Sequence, residues 1–205
     1  MLSLLNLEEG TLLVKLARST VKKFYKNKSL DSLELEKTKN EKLNEPHGVF
    51  VTIKKFPSHM LRGCIGFISS TALYEAVQHA ALSAAFKDTR FSPLQTSELK
   101  SIIFEVSVMT EPTLVSGENL HELKKKIKIG YDGLIISNGS YSGLLLPQVP
   151  IEQKWNVDMF LKNLCYKAGM TPDFLNDENT RIWKFQCQIF AECEPNGKIE
   201  EIKLK

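Results

Sequence analysis

Between Val49 and Phe67 the chain spells out two strands and a turn, and the content of the second strand narrows what the fold can be. Val49–Lys55 is β-branched and alternating, Phe56-Pro57-Ser58-His59 carries turn chemistry, and Met60–Phe67 reads as the returning strand of a hairpin. That strand holds Leu61-Arg62-Gly63-Cys64-Ile65-Gly66-Phe67, one thiol between two glycines. Glycine inside a strand costs backbone entropy and packs nothing, so it marks a bulge or the close approach of another backbone or a ligand. With the turn centred on Pro57, Phe50 lies opposite Cys64 and Thr52 opposite Arg62. Alternation then places Leu61, Ile65 and Phe67 on the apolar face and turns Arg62, Cys64 and Gly66 the other way. A slip of one residue would bury Cys64 instead.

The rest of the chain interleaves helices with further hairpins. Asn6 and Glu9 form a capping box for a helix from Leu7 to about Lys26. Residues 29–46 read as a polar connecting arm with room for a short helix. Ser70 or Thr71 caps a second long helix through Phe86, whose Ala76, Ala80, Ala81, Ala84 and Ala85 permit close packing on a sheet. Ser101–Met109 alternates, with Glu105 on the side away from Phe104 and Val106, so that carboxylate needs water or a partner. Pro112 and Ser116-Gly117 mark a boundary, followed by a short basic helix over about 118–127. Asn138-Gly139 predicts a type I′ turn joining strands 134–137 and 141–146, and Pro147-Gln148-Val149-Pro150 resists regular structure. Val157–Ala168 is helical with Gly169 as its stop and Cys165 on its apolar stripe, and Pro172 opens a short helix. Arg181–Glu192 reads as one strand with Trp183, Phe185, Cys187 and Ile189 in the core. A charged tail over 193–205 carries a potential edge strand. This order is not an alternating βαβ series. It predicts an α+β protein with mostly antiparallel sheets, packed helices, and a larger and a smaller subdomain, with 112–147 in or next to the smaller one.

Composition excludes several classes. A net charge of +3 over 205 residues is too slight for a dedicated nucleic-acid binder, and the basic run Lys124-Lys125-Lys126 has no interleaved aromatics. No apolar run approaches the ~20 residues of a membrane span, and the first residues make a poor signal peptide. A cytoplasmic location is the expectation. Cys64, Cys165, Cys187 and Cys193 lack zinc-site spacing, so reduced thiols are expected and no metal. Phosphate-loop, dinucleotide and zinc-peptidase motifs are absent, and no cofactor is expected.

Several blocks appear in a fixed order: Gly48–Thr52, Leu61–Gly66, Ala84–Pro93, Glu105–Val108, Gly130–Leu134, Leu146–Val149 and Phe160–Gly169. The series resembles the AMMECR-type domain family, over roughly residues 7–192, with Leu61–Gly66 as its signature. Pro150 and Ile151 stand where many bacterial members carry tryptophan, which is similar to archaeal members. The resemblance implies a single α+β domain of two subdomains. It implies no specific reaction. In bacteria and archaea the domain occurs beside, or fused to, Memo-type and radical-SAM proteins, which implies association with them and a step in modifying some biomolecule.

Two principal functions remain open on these residues. In one, Cys64 is a nucleophile, with Arg62 favouring the thiolate and His47 or His59 as base. In the other the chain is a binding module. Arg62, Gly63, Gly66, Asp88, Arg90, Glu105 and Gln148, with Phe91 as an apolar contact, line a polar cleft between subdomains that takes a small molecule or a segment of a partner protein. Glu105 is expected to pair with Arg62 or Arg90. Nucleic-acid binding is a third, disfavoured reading.

Overall fold

Helix α1 (Leu7–Asn27) begins where the capping box requires: Asn6 N–H donates to Glu9 Oε2 at 2.8 Å, and Glu9 N–H donates to Asn6 Oδ1 at 2.9 Å. The computed structural model describes residues 4–27, 37–68, 71–117 and 119–204. Ser70, one of the two expected caps of the second helix, lies outside these residues, as does much of the connecting arm. The described part of that arm contains α2 (Glu41–Asn44), which buries Leu43.

The chain divides into two compact units. The first runs to Met109 and resumes over Gln188–Lys203. Its five-stranded sheet has the order β2-β1-β3-β8-β9, from β1 (Val49–Lys55), β2 (Leu61–Phe67), β3 (Ile102–Met109), β8 (Cys187–Glu192) and β9 (Ile199–Ile202). Strand β1 pairs antiparallel with both β2 and β3, and β8 pairs antiparallel with β9. Helices α1 and α3 (Leu73–Phe86) share one apolar core with one face of this sheet, through Leu13, Ala17 and Val21, through the small stripe of α3, and through Val49, Val51, Ile53, Phe104 and Val106. Helix α3 starts without a side-chain cap. Its first N–H, at Leu73, donates to the Glu45 carbonyl at 2.9 Å, so the arm supplies an acceptor at the start of the helix. A buried ion pair ties α1 to the far strands: Arg18 bonds Glu192, and Glu192 also accepts the Phe104 N–H at 2.9 Å.

The second unit is Thr110–Cys187. Its four-stranded antiparallel sheet, ordered β4-β7-β5-β6, uses β4 (Thr113–Leu114), β5 (Gly133–Asn138), β6 (Tyr141–Leu145) and β7 (Arg181–Phe185). It shares a core with α4 (Leu120–Lys125) and α6 (Val157–Lys167), in which Cys165 is fully buried.

Three local expectations are corrected. Asn138 is still in strand, paired with Tyr141, and only Gly139 has positive φ (57°), so the loop is Gly139-Ser140 with the φ signs of a type II′ turn. Val149–Glu152 forms a short helix, α5, because Pro150 tolerates a first-turn position where no N–H is needed. Arg181–Glu192 is two strands. The chain changes sheets at Gln186, whose N–H donates to Thr110 Oγ1 and whose carbonyl accepts the Thr110 N–H, both at 2.9 Å. That break leaves Cys187 half-buried instead of in the core. The tail contributes β9 as the outer strand beside β8.

Candidate functional site

The hairpin register differs from expectation by two residues: Thr52 faces Cys64, and Phe50 faces Gly66. A two-residue shift preserves the face, so Cys64 points away from α1 and α3 as the alternation predicts. A bulge interrupts the other end. Ile53 pairs with Gly63 and Lys54 with Leu61, which leaves Arg62 as the extra residue. Directly opposed residues share a face, so Leu61 joins Lys54 on the Cys64 side and is 38% exposed. Arg62 leaves that side. Its Nε and Nη2 donate to the Glu98 carboxylate at 2.7 and 2.9 Å, and Nη2 also donates to the Ser92 carbonyl at 3.0 Å.

Both glycines answer to close approach. A Cβ at Gly63 would sit 2.2 Å from the Ala84 carbonyl oxygen of α3, and one at Gly66 would sit 2.3 Å from the Phe50 ring. Helix packing sets the first and ring packing within the hairpin sets the second.

Strand β2 is the outer strand of its sheet. Where a further strand would bond Cys64, the loop after α3 does so. The Cys64 N–H donates to Asp88 Oδ2 at 2.8 Å, and Arg90 Nη2 donates to the Cys64 carbonyl at 3.2 Å. Arg90 is held against Asp88 by its Nε at 2.9 Å and its Nη2 at 2.7 Å, and its guanidinium lies 5.6 Å from the centre of the Phe91 ring. Phe91 thus has two cations near its ring, since the Arg62 guanidinium is 5.8 Å from the same centroid. Burial pushes the Asp88 carboxyl up, but the Arg90 guanidinium, the Cys64 N–H and the Arg90 N–H together bring it down to about 2.

The thiol itself is half-buried. Thr52 Oγ1 donates to Cys64 Sγ at 3.2 Å. Burial pushes the thiol up, and the lowering influences of Thr52 and Arg90 do not offset it. The thiolate of Cys64 is therefore disfavoured. Neither histidine lies among the groups acting on it: His59 is exposed in the hairpin turn, and His47 faces Glu45. Glu105, opposite Thr52 on β3, pairs with Lys54 at 2.9 Å and not with either arginine. Gln148 belongs to the second unit, just before α5.

The structure thus brings Cys64, Asp88, Arg90 and Phe91 together and places Glu105 two strands in. Arg62 is committed to the loop, and Gly63 and Gly66 to packing. Thr52, Lys54 and Glu98 were missed. Alternation with Phe50 would have placed the first two on the Cys64 side, whereas nothing in the sequence marks Glu98 as the partner of Arg62. Among the described residues no group of His, Cys, Asp and Glu is placed to hold a metal ion. Nor is any helix there long and apolar enough to cross a membrane.

The family model described as AMMECR1 matches residues 14–190. The chain belongs to the AMMECR1 family. It is 45% identical over 202 residues to a protein of Methanocaldococcus jannaschii, with 98% of each chain covered, and 44% identical over 203 residues to one of Methanopyrus kandleri, covering 98% of this chain and 96% of the relative. The crystal structure of an uncharacterised protein from Pyrococcus horikoshii superposes with a TM-score of 0.92 at 42% identity, covering 98% of this chain and 100% of that one. The α+β architecture of mostly antiparallel sheets is consistent with that likeness.

Proposed function

We propose that this protein is a binding module whose site is the Cys64 segment of β2 together with the Asp88–Arg90 pair, and that Cys64 contacts its ligand without forming a bond to it. The observation that carries this reading is how Cys64 is held. Burial disfavours its thiolate, and no histidine is among the groups that act on it. Its backbone N–H and carbonyl are both held by the Asp88–Arg90 pair. A nucleophile needs a thiolate or an adjacent base. A contact residue needs only a fixed position, which the two backbone bonds and Thr52 provide.

The recognition chemistry comes from Arg90. Its side chain is 49% exposed, and its Nε and Nη2 are occupied by Asp88 and by the Cys64 carbonyl. Nη1 keeps its two N–H donors and the positive charge of the guanidinium for an oxygen of a carboxylate or phosphate.

The test is capture of metabolites and proteins from cell extract on the wild type, Cys64→Ser and Arg90→Gln, with intact mass measured on each recovered chain. The expected result is the same captured species on wild type and Cys64→Ser, and their loss on Arg90→Gln. A mass adduct on Cys64 of the wild type that Cys64→Ser lacks would overturn the reading in favour of covalent chemistry.

A further inference from the structure

A strand at the rim of a sheet leaves every second N–H and C=O pair directed outwards, and those groups are a template for another chain. On β2 one such pair belongs to Cys64, since both its backbone groups turn away from β1 to meet Asp88 and Arg90. The alternation of an antiparallel ladder has period two, so the Gly66 N–H and C=O point the same way. No bond to them is made by any other described residue outside the sheet. Among the described residues the rim is thus stoppered at Cys64 and open at Gly66. Phe67 and Ile68, at the open end, are 40% and 57% exposed.

Resting on the binding reading above, we propose that an extended peptide adds to β2 at Gly66, antiparallel to it, and that the peptide ends in a free C-terminal carboxylate received by Arg90. Three features select this occupant. First, the Asp88–Arg90 pair occupies the next outward position, so an added strand cannot continue past Cys64 and must stop or turn there. Second, direction decides which end stops. A strand antiparallel to β2 runs from the Phe67 end towards Cys64, so its C-terminus arrives at Arg90; a parallel strand would bring an ammonium group to a guanidinium. Third, the Nη1 edge of Arg90 has no bond to any other described residue, and it offers N–H donors to a carboxylate. Gly66 supplies two backbone hydrogen bonds, Arg90 the charge, and Phe67 and Ile68 an apolar surface for the preceding side chains. This is strand addition with carboxylate capture, in which the main chain provides affinity and the terminus provides selection.

The experiment uses the full chain and a displayed library of random heptapeptides fused at their N-termini, so that every peptide ends in a free carboxylate. An enriched peptide is then synthesised as the free acid, as the C-terminal amide, and with single backbone N-methyl groups, and its affinity is read by fluorescence anisotropy. The expected result is binding of the free acid and a loss of about tenfold or more for the amide. N-methylation at one position near the terminus should abolish binding. On Arg90→Gln the acid should weaken by a similar factor and amidation should then cost nothing further. Failure to enrich any peptide above an unrelated protein, or enrichment of peptides indifferent to amidation, would overturn the inference. Capture of a metabolite that depends on Arg90 alongside such a failure would leave the binding reading standing, whereas an adduct on Cys64 would remove that reading itself. The amide and N-methyl peptides keep the test decisive even if Arg90→Gln loses its fold.

Discussion

Asp88 accepts the Cys64 backbone N–H at 2.8 Å and so does for the rim of the sheet what a neighbouring strand would do. The same carboxylate holds Arg90, which closes the Cys64 carbonyl. One ion pair therefore satisfies both outward groups of a residue at the sheet's rim, and the protein's most distinctive segment depends on it.

That dependence has a pH signature. The Asp88 carboxyl is depressed in the folded chain, from an ordinary value of 3.8 to about 2. A depressed acid contributes stability that is present above the unfolded value and is lost as pH falls through the folded one. The wild type should thus lose about 2 kcal/mol between about pH 5 and pH 2 that Asp88→Asn does not lose, since the shift converts at about 1.4 kcal/mol per unit. Denaturant titrations of both proteins at neutral and acid pH measure the difference. Parallel loss in the two would show that the pair contributes nothing.

Alkylation should report the protonated thiol. Because burial raises the Cys64 thiol, iodoacetamide at neutral pH should modify it at least about tenfold more slowly in the native chain than in the denatured one. Arg90→Gln removes a cation that lowers it, so the native rate should fall further at fixed pH. Residue-resolved mass spectrometry gives both rates, and native labelling faster than denatured would contradict the assignment.

Gly63 should tolerate no side chain. Its Cβ would meet backbone of α3, which cannot rotate away as a side chain would, so Gly63→Ala should cost about 3 kcal/mol or more. Gly139→Ala serves as comparison: it has φ 57° and nothing within 4 Å, and it should cost only the left-handed strain of about 1–2 kcal/mol. Equal midpoints in chemical denaturation for the two variants would show that the contact with Ala84 is unimportant.

The Arg18–Glu192 pair should be costly to break from one side. Both side chains are buried, Arg18 also donates to the Leu99 and Ile102 carbonyls, and its guanidinium lies over the Phe104 ring. Arg18→Met leaves Glu192 buried without its cation and should destabilise by about 3–5 kcal/mol. The double variant Arg18→Met, Glu192→Leu should recover a good part of that loss. Equilibrium unfolding of wild type, both single variants and the double variant measures the coupling.

How much of the site the sequence discloses depends on the range of the signal. That Cys64 faces away from the helices follows from alternation, and it survived a register error because that error was two residues, the period of the strand. The positions of Leu61 and Arg62 did not survive, because a bulge adds one residue and reverses every assignment beyond it. The bulge left no mark in the sequence apart from the glycine beside it.

By itself, then, the sequence determined the elements whose causes are local: the capping box at Asn6 and Glu9, the small-residue stripe of α3, the hairpins, and with them an α+β chain of mostly antiparallel sheets. The ordered blocks carried the family. Tertiary structure alone decided that β2 is a rim strand, that the chain changes sheets at Gln186, that Glu105 answers Lys54 and Glu98 answers Arg62, and that Asp88 and Arg90 close the backbone of Cys64. The physical reason is that each of these is a pairing between segments distant in the chain. Any acid can in principle meet any base, and any strand any neighbour, until packing of the whole core chooses one arrangement. Cys64 shows the difference most plainly. A thiol between glycines beside an arginine reads as reactive, but its burial, a property of the assembled fold, disfavours the thiolate.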